Sequence, residues 1–322
     1  MREEDVCLEL LLGWLAAQHG RRFTLDQSEY VEPAGLSAVV SDAVPAGRQG
    51  SFRLALEVRP LLGPSENPAW LAYRDQLRTD IAMDLQGAFA LWLPAGADLP
   101  SGARERIEFV QHVRKTALAL APGDRAYVPL PISLYLKKLS GDGNLMSVVG
   151  GLNAYWARFT DRIRGTYDLD ASQLHRLPES EEHLEALLDL ICRRTQSIET
   201  AGQWVEIETV DAWTVQRLAG DHGVVIVGLP PDEIGDMGLA VRRNFRRLLA
   251  EAAPRLAERQ ADLRALVALG HYGRMDQEGA TTAMRGYDPA LYSNLDFVCL
   301  AADGLLKPLI QAPARVLPWA SR

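Results

Sequence analysis

The sequence is poor in several things, and each scarcity excludes something. There are three cysteines in 322 residues, Cys7, Cys192 and Cys299, far apart in the chain. That spacing excludes a disulfide framework and a cysteine-rich zinc cage. Only four of the 34 basic residues are lysine (Lys115, Lys137, Lys138 and Lys307); the rest are arginine. Arginine grips carboxylate and phosphate through a planar fork that lysine lacks. No run reaches about 18 uncharged apolar residues, so no membrane span is expected. The start, Met-Arg-Glu-Glu-Asp followed by an apolar stretch from Val6 to Ala17 that contains Glu9, lacks the basic lead and uncharged middle of a signal peptide. A soluble cytoplasmic protein is expected, a compartment that suits free cysteines. Gly-x-x-x-x-Gly-Lys-Ser/Thr, Gly-x-Gly-x-x-Gly, His-Glu-x-x-His and Gly-x-Ser-x-Gly are all missing. Those absences set aside P-loop NTPases, dinucleotide enzymes, zinc peptidases and α/β-hydrolases.

What is present is ordinary for a globular chain. Hydrophobic residues make up 48% and charged residues 24%, enough to bury a large core. The length suggests two domains, with a boundary near Gly150-Gly151 that divides the chain into 1–150 and 151–322. The net charge of −8 argues against a protein coated in positive charge but leaves room for a local basic site.

Periodicity predicts the elements. Glu3–His19 has the apolar spacing of an amphipathic helix, ended by Gly20. Extended runs follow at Phe23–Val31, Leu36–Val44 and Phe52–Val58. Pro68–Leu85 reads as a helix with Asn67 as N-cap, Ala88–Leu93 as a buried strand, and Ser101–Leu120 as another capped helix. Ile132–Leu139 and Leu145–Val149 read as a hairpin around Gly141–Asn144. Further on, helices are predicted at Asn153–Arg164, Glu179–Glu199 and Gly279–Arg285. Another is predicted at Leu239–Arg259, kinked or divided by Pro254. Strands are predicted at Val205–Val210, Val224–Leu229, Leu263–Leu269 and Phe297–Ala301, and an extended tail from Pro308. The fold class is α/β.

The sharpest chemical pattern is Asp42, a gap, then Glu57-Val58-Arg59. Residues 57 and 59 share one face of a strand. If Asp42 on the neighbouring strand reaches that face, two carboxylates and the Val58 carbonyl offer three oxygens to Mg²⁺. A cation so placed activates water and stabilises charge on a phosphate. The plainer alternative makes Glu57–Arg59 an ion pair at the strand end and Asp42 a turn residue.

On these residues, Ser41-Asp42 and Glu57-Val58-Arg59, the chain resembles the restriction-endonuclease-like superfamily, whose pattern is PD-(D/E)XK. The order α-β-β-β-α-β over residues 3–93 matches that family's core. The resemblance implies a mixed-sheet core within residues 1–150, with a second α/β layer or domain after it. It implies Asp42, Glu57 and Arg59 as catalytic residues, and Asp42, Glu57, Val58 and the extra acid Glu9 around Mg²⁺. Gln76 fits the place of a glutamine carried by some members. Two departures stand out: Ser41 replaces proline, and Arg59 replaces a lysine. Arginine stays protonated and cannot act as a general base. Two readings follow. One is a divergent metal-dependent nuclease, a DNA-binding hydrolase of phosphodiesters in which Arg59 holds the scissile phosphate. The other is a non-catalytic interaction subunit of a larger bacterial assembly, on a fold that lost its chemistry. A protein partner or a homo-oligomer suits the second.

Arg242, Arg243, Arg246 and Arg247 form one helical stripe, a candidate grip on a nucleic-acid backbone. The alternatives are a solvated face, or ion pairs with the acidic helix at Glu179–Asp189. His271, with Asp276 and Glu278, follows one buried strand, and Asp232-Glu233 follows another; both are positions where α/β folds place polar function. The seven tryptophans are spread evenly and read as core or cover.

Overall fold

The computed structural model describes residues 1–31, 35–43, 49–62, 66–94, 97, 99–100, 102–178, 180–229, 237–270 and 280–320. His271, Asp276, Glu278 and Asp232-Glu233 lie outside them. The architecture is mixed α/β, as expected. The chain forms two compact units: residues 1–126 with 214–322, and residues 127–213. The boundary expected at Gly150-Gly151 therefore falls inside the second unit. The physical reason is a close backbone approach. A Cβ on Gly150 would collide with the Ala171 carbonyl, and one on Gly151 with the Leu174 carbonyl. The two glycines are packing positions and not a linker.

In the first unit, a six-stranded sheet runs in the order β1 (Arg22–Val31), β2 (Gly35–Ala43), β3 (Gln49–Pro60), β10 (Leu263–Leu269), β11 (Phe297–Ala302), β12 (Leu305–Gln311). Strands β1 to β3 form an antiparallel meander, β3, β10 and β11 run parallel, and β12 returns antiparallel. Alternation along the central strands separates two buried faces. Phe52, Leu54, Leu56 and Val58 of β3, with Ala265 and Val267 of β10, pack against α1 (Glu3–His19) through Val6, Leu8, Leu11 and Leu15. Ala55, Leu266, Ala268, Val298 and Leu300 pack against α6 (Met237–Glu258) through Phe245, Leu248, Leu249 and Ala252. Burial on both faces explains the near-continuous apolar runs of β10 and β11. Helix α6 continues through Pro254 without division.

The core expected within residues 3–93 is not formed by those residues alone. The strand beside β3 is β10, preceded by α6, and not β4 (Gly87–Trp92), preceded by α2 (Pro68–Ala82). Strand β4 instead pairs with Thr214–Leu218 of β8 (Trp204–Leu218) and with β9 (His222–Val227). Asn67 does cap α2, accepting from the Trp70 amide at 3.1 Å. The expected hydroxyl cap on α3 (Ala103–Leu118) is not made at its N-cap, Gly102; Ser101 lies outside the described residues.

In the second unit, β7 (Gly165–Ala171) lies between β5 (Arg125–Ser140) and β6 (Asn144–Gly150), antiparallel to the first and parallel to the second. The predicted β5–β6 hairpin is thus opened by a strand the periodicity did not flag. The predicted helix at 153–164 is reduced to a turn at Asn153–Tyr155 and α4 (Ala157–Thr160). Helix α5 (Glu181–Thr195) covers one sheet face with Leu184, Leu187, Leu188 and Ile191. Its acidic start pairs with Arg158 and Arg162 of its own unit.

Candidate functional site

The register of β2 and β3 decides the fate of the expected metal site. Asp42 stands opposite Gly50, and Glu57 stands opposite Gly35. Glu57 is therefore seven residues beyond Asp42's partner, about 24 Å along the strand. Pairing parity also puts the two on opposite faces, Asp42 toward α1 and Glu57 toward α6. The Mg²⁺ constellation of Asp42, Glu57, Val58 and Glu9 is not assembled. Val58 points its side chain into the α1 core. Glu9, on α1, accepts from the Ala219 amide at 2.7 Å, and burial raises its carboxyl above the ordinary range. Gln76 is exposed on α2. Among the described residues no group of three or more His, Cys, Asp or Glu side chains is placed to share a metal ion.

Each acid of the expected pair instead meets arginine. Asp42 is fully buried and binds Arg21 Nη2 at 2.6 Å. Glu57, also fully buried, accepts from Arg59 Nε at 2.9 Å and from Arg255 Nη2 at 2.5 Å on the same oxygen, Oε1. The strand-end ion pair that sequence offered as the plainer alternative is present, with a second guanidinium added. A third, Arg259, donates to the Leu56 carbonyl at 3.2 Å and lies against Gly35, where a Cβ would overlap it. The hydrogen bond to Glu57 raises the Arg255 pKa, whereas burial lowers that of Arg259, with Arg255 and Arg59 adding to the effect and Glu57 opposing it. Arg255 and Arg259 are one turn apart at the C-terminal end of α6, where the helix dipole favours cations. That spacing was the sequence signal for them, but nothing local tied it to Glu57.

The arginine stripe is divided by its contacts. Arg246 donates to the carbonyls of Ala283 and Arg285, each at 2.9 Å, and sits over the Tyr287 ring. It fastens residues 280–287 to α6. Arg247 lies 3.9 Å from Glu251. Arg242 and Arg243 are exposed. Four guanidiniums free to track a phosphate backbone are not what the helix presents.

One pocket, of about 380 Å³, is lined by Glu3, Pro60, Arg74, Arg78 and Leu229, among others. Burial pushes the Glu3 carboxyl up to about 6, against the opposing pull of Arg74. An acid with a raised folded-state pKa binds more protons folded than unfolded, so its contribution to stability falls as pH rises from about 4.5 to 6 and beyond. Glu3→Gln should therefore stabilise the chain at pH 8 by roughly 1–2 kcal/mol, an amount moderated by partial exposure. The gain should vanish at pH 4. Urea denaturation of both proteins at the two pH values checks this.

Comparison with protein-family models, curated proteins and solved structures returned no match. No helix among the described residues is long and apolar enough to cross a membrane.

Proposed function

We propose that the protein is a non-catalytic interaction subunit, built on a degenerate restriction-endonuclease-like sheet. The observation that carries this reading is the occupation of Glu57 by Arg59 and Arg255. A metal-binding carboxylate must offer free oxygen lone pairs to the cation. Here the most buried acid on the α6 face is already neutralised by a two-guanidinium clamp. Asp42, on the other face, is neutralised by Arg21. The meander β1–β3 followed by the parallel strand β10 supports descent of the scaffold from that fold class. The guanidinium pairs support loss of its chemistry.

The test is nucleic-acid cleavage. Supercoiled plasmid, single-stranded DNA and RNA are incubated with the full chain and Mg²⁺ or Mn²⁺. The expected result is no cleavage above that of an Asp42→Asn, Glu57→Gln double variant. Metal-dependent cleavage by the wild type, lost in a double variant whose circular dichroism is unchanged, would overturn the proposal and restore the nuclease reading.

A further inference from the structure

The unit spanning residues 127–213 has a sheet with one covered face and one open face. Leu134 and Leu136 of β5, Met146 and Val148 of β6, Tyr167 and Leu169 of β7, and Ile207 of β8 are buried in the core that α5 completes. The register fixes what the opposite face carries. Tyr135 stands opposite Asp170 and Lys137 opposite Asp168. Ser147 and Val149 of β6 stand level with Asp168 and Asp170. On β8, Trp204 meets Tyr135 edge to face with ring centroids 5.8 Å apart, and Glu206 accepts from Ser133 Oγ. Glu208 follows two residues further along the same side of β8.

This face is rich in exposed apolar surface. Trp204 is 60% exposed, Val149 54% and Leu145 50%. Single exposed apolar residues need no explanation; here Trp204 meets Tyr135, itself 39% exposed, and the Asp168–Asp170 row of β7 separates this aromatic couple from Val149 and Leu145 on β6. Its charge narrows the occupant. Asp168, Asp170, Glu206 and Glu208 face one ammonium, that of Lys137. Hydrogen bonds from Ser172 hold Asp170 below the ordinary carboxylate range, so its charge persists under mildly acid conditions. Such a face repels nucleic-acid phosphates, and it repels a second copy of itself. An exposed tryptophan–tyrosine pair ringed by carboxylates suits a cation, which gains from both the π faces and the negative charge.

We infer that this open face docks a basic, extended polypeptide segment of a partner protein. Its lysine or arginine side chains would reach Asp168, Asp170, Glu206 and Glu208, and its apolar side chains would cover Trp204 and Tyr135. This rests on the interaction-subunit reading and names the chemistry of the partner. Two-residue periodicity in the segment matches the row spacing of the sheet face.

The experiment measures anisotropy of a fluorescein-labelled eight-residue peptide of alternating lysine and valine, with a glutamate–valine peptide as comparator, against the full chain. Binding of the first and not the second is expected. Trp204→Ala, and separately the pair Asp168→Asn with Asp170→Asn, should each weaken it roughly tenfold or more. A control pair at exposed acids of the other unit, Glu29→Gln with Asp221→Asn, removes the same net charge but leaves every side chain of the proposed face intact, and should change it less than about twofold. Equal weakening by both pairs would reduce the effect to net-charge attraction and overturn the inference. So would an unchanged affinity in Trp204→Ala, or self-association through Trp204 seen in sedimentation. The cleavage assay above is read on nucleic acid and leaves this measurement standing whichever way it falls.

Discussion

Glu57→Ala should lower the unfolding free energy by roughly 3 kcal/mol, because removing one member of a buried ion pair strands the charge left behind. Glu57 itself is inaccessible, whereas the side chains of Arg59 and Arg255 are 19% and 35% exposed. Solvent reaches the guanidiniums and softens their loss, which places the value at the low end of the range for buried pairs. The measurement is urea unfolding, with a lower midpoint and an unchanged slope. A free metal-binding acid would behave in the opposite sense: in metal-free buffer its removal relieves repulsion and is neutral or stabilising. A neutral result would therefore count against the guanidinium clamp. A second variant separates charge from packing. Glu57→Leu combined with Arg59→Met and Arg255→Met removes every charge of the group while keeping its bulk, and should recover most of the loss, since well-packed apolar replacements of buried ion pairs are often neutral or better.

The same cluster shows why the sequence was readable in part. Helix α1 and strands β1 to β3 were legible from period and punctuation alone, because amphipathic spacing and the breaks around Pro33 and Pro45 are local signals. Register is not local. The β2–β3 pairs run outward from Ala43 opposite Gln49, and a shift of one residue reverses which face every side chain meets. Asp42 and Glu57 each sat on a credible strand, but nothing in their neighbourhood fixed which residue each would oppose. The choice of β10 over β4 as the neighbour of β3 was hidden for a related reason. Ala88–Leu93 and Leu263–Leu269 are both short buried runs that follow a helix, and only long-range packing tells them apart. Strand β7 was missed although Tyr167, Leu169 and Ala171 alternate inward. Its alternation covers only seven residues, too short a run to fix a strand by period alone.

Gly150→Ala is expected to be the most damaging small substitution in the second unit, costing roughly 3 kcal/mol. Two penalties combine. Gly150 has φ +90°, outside the region an L side chain adopts without strain, and that conformation alone costs about 1–2 kcal/mol. The added Cβ then meets backbone at Ala171 and Ser172, which cannot swing aside as a side-chain tip would, and forced overpacking costs a further 1–3 kcal/mol. The position ends β6 against β7, level with Ala171, so relief requires the parallel pair to separate at that end. Gly151→Ala should be nearly as harmful through the Leu174 carbonyl, without the φ penalty. Gly141→Ala, where a Cβ meets open space, should change stability by less than about 0.5 kcal/mol. Thermal and urea unfolding of the three variants decides the matter. If Gly150→Ala and Gly141→Ala unfold together, the pair at 150–151 behaves as a linker, and the domain boundary read from the sequence at that point regains its standing.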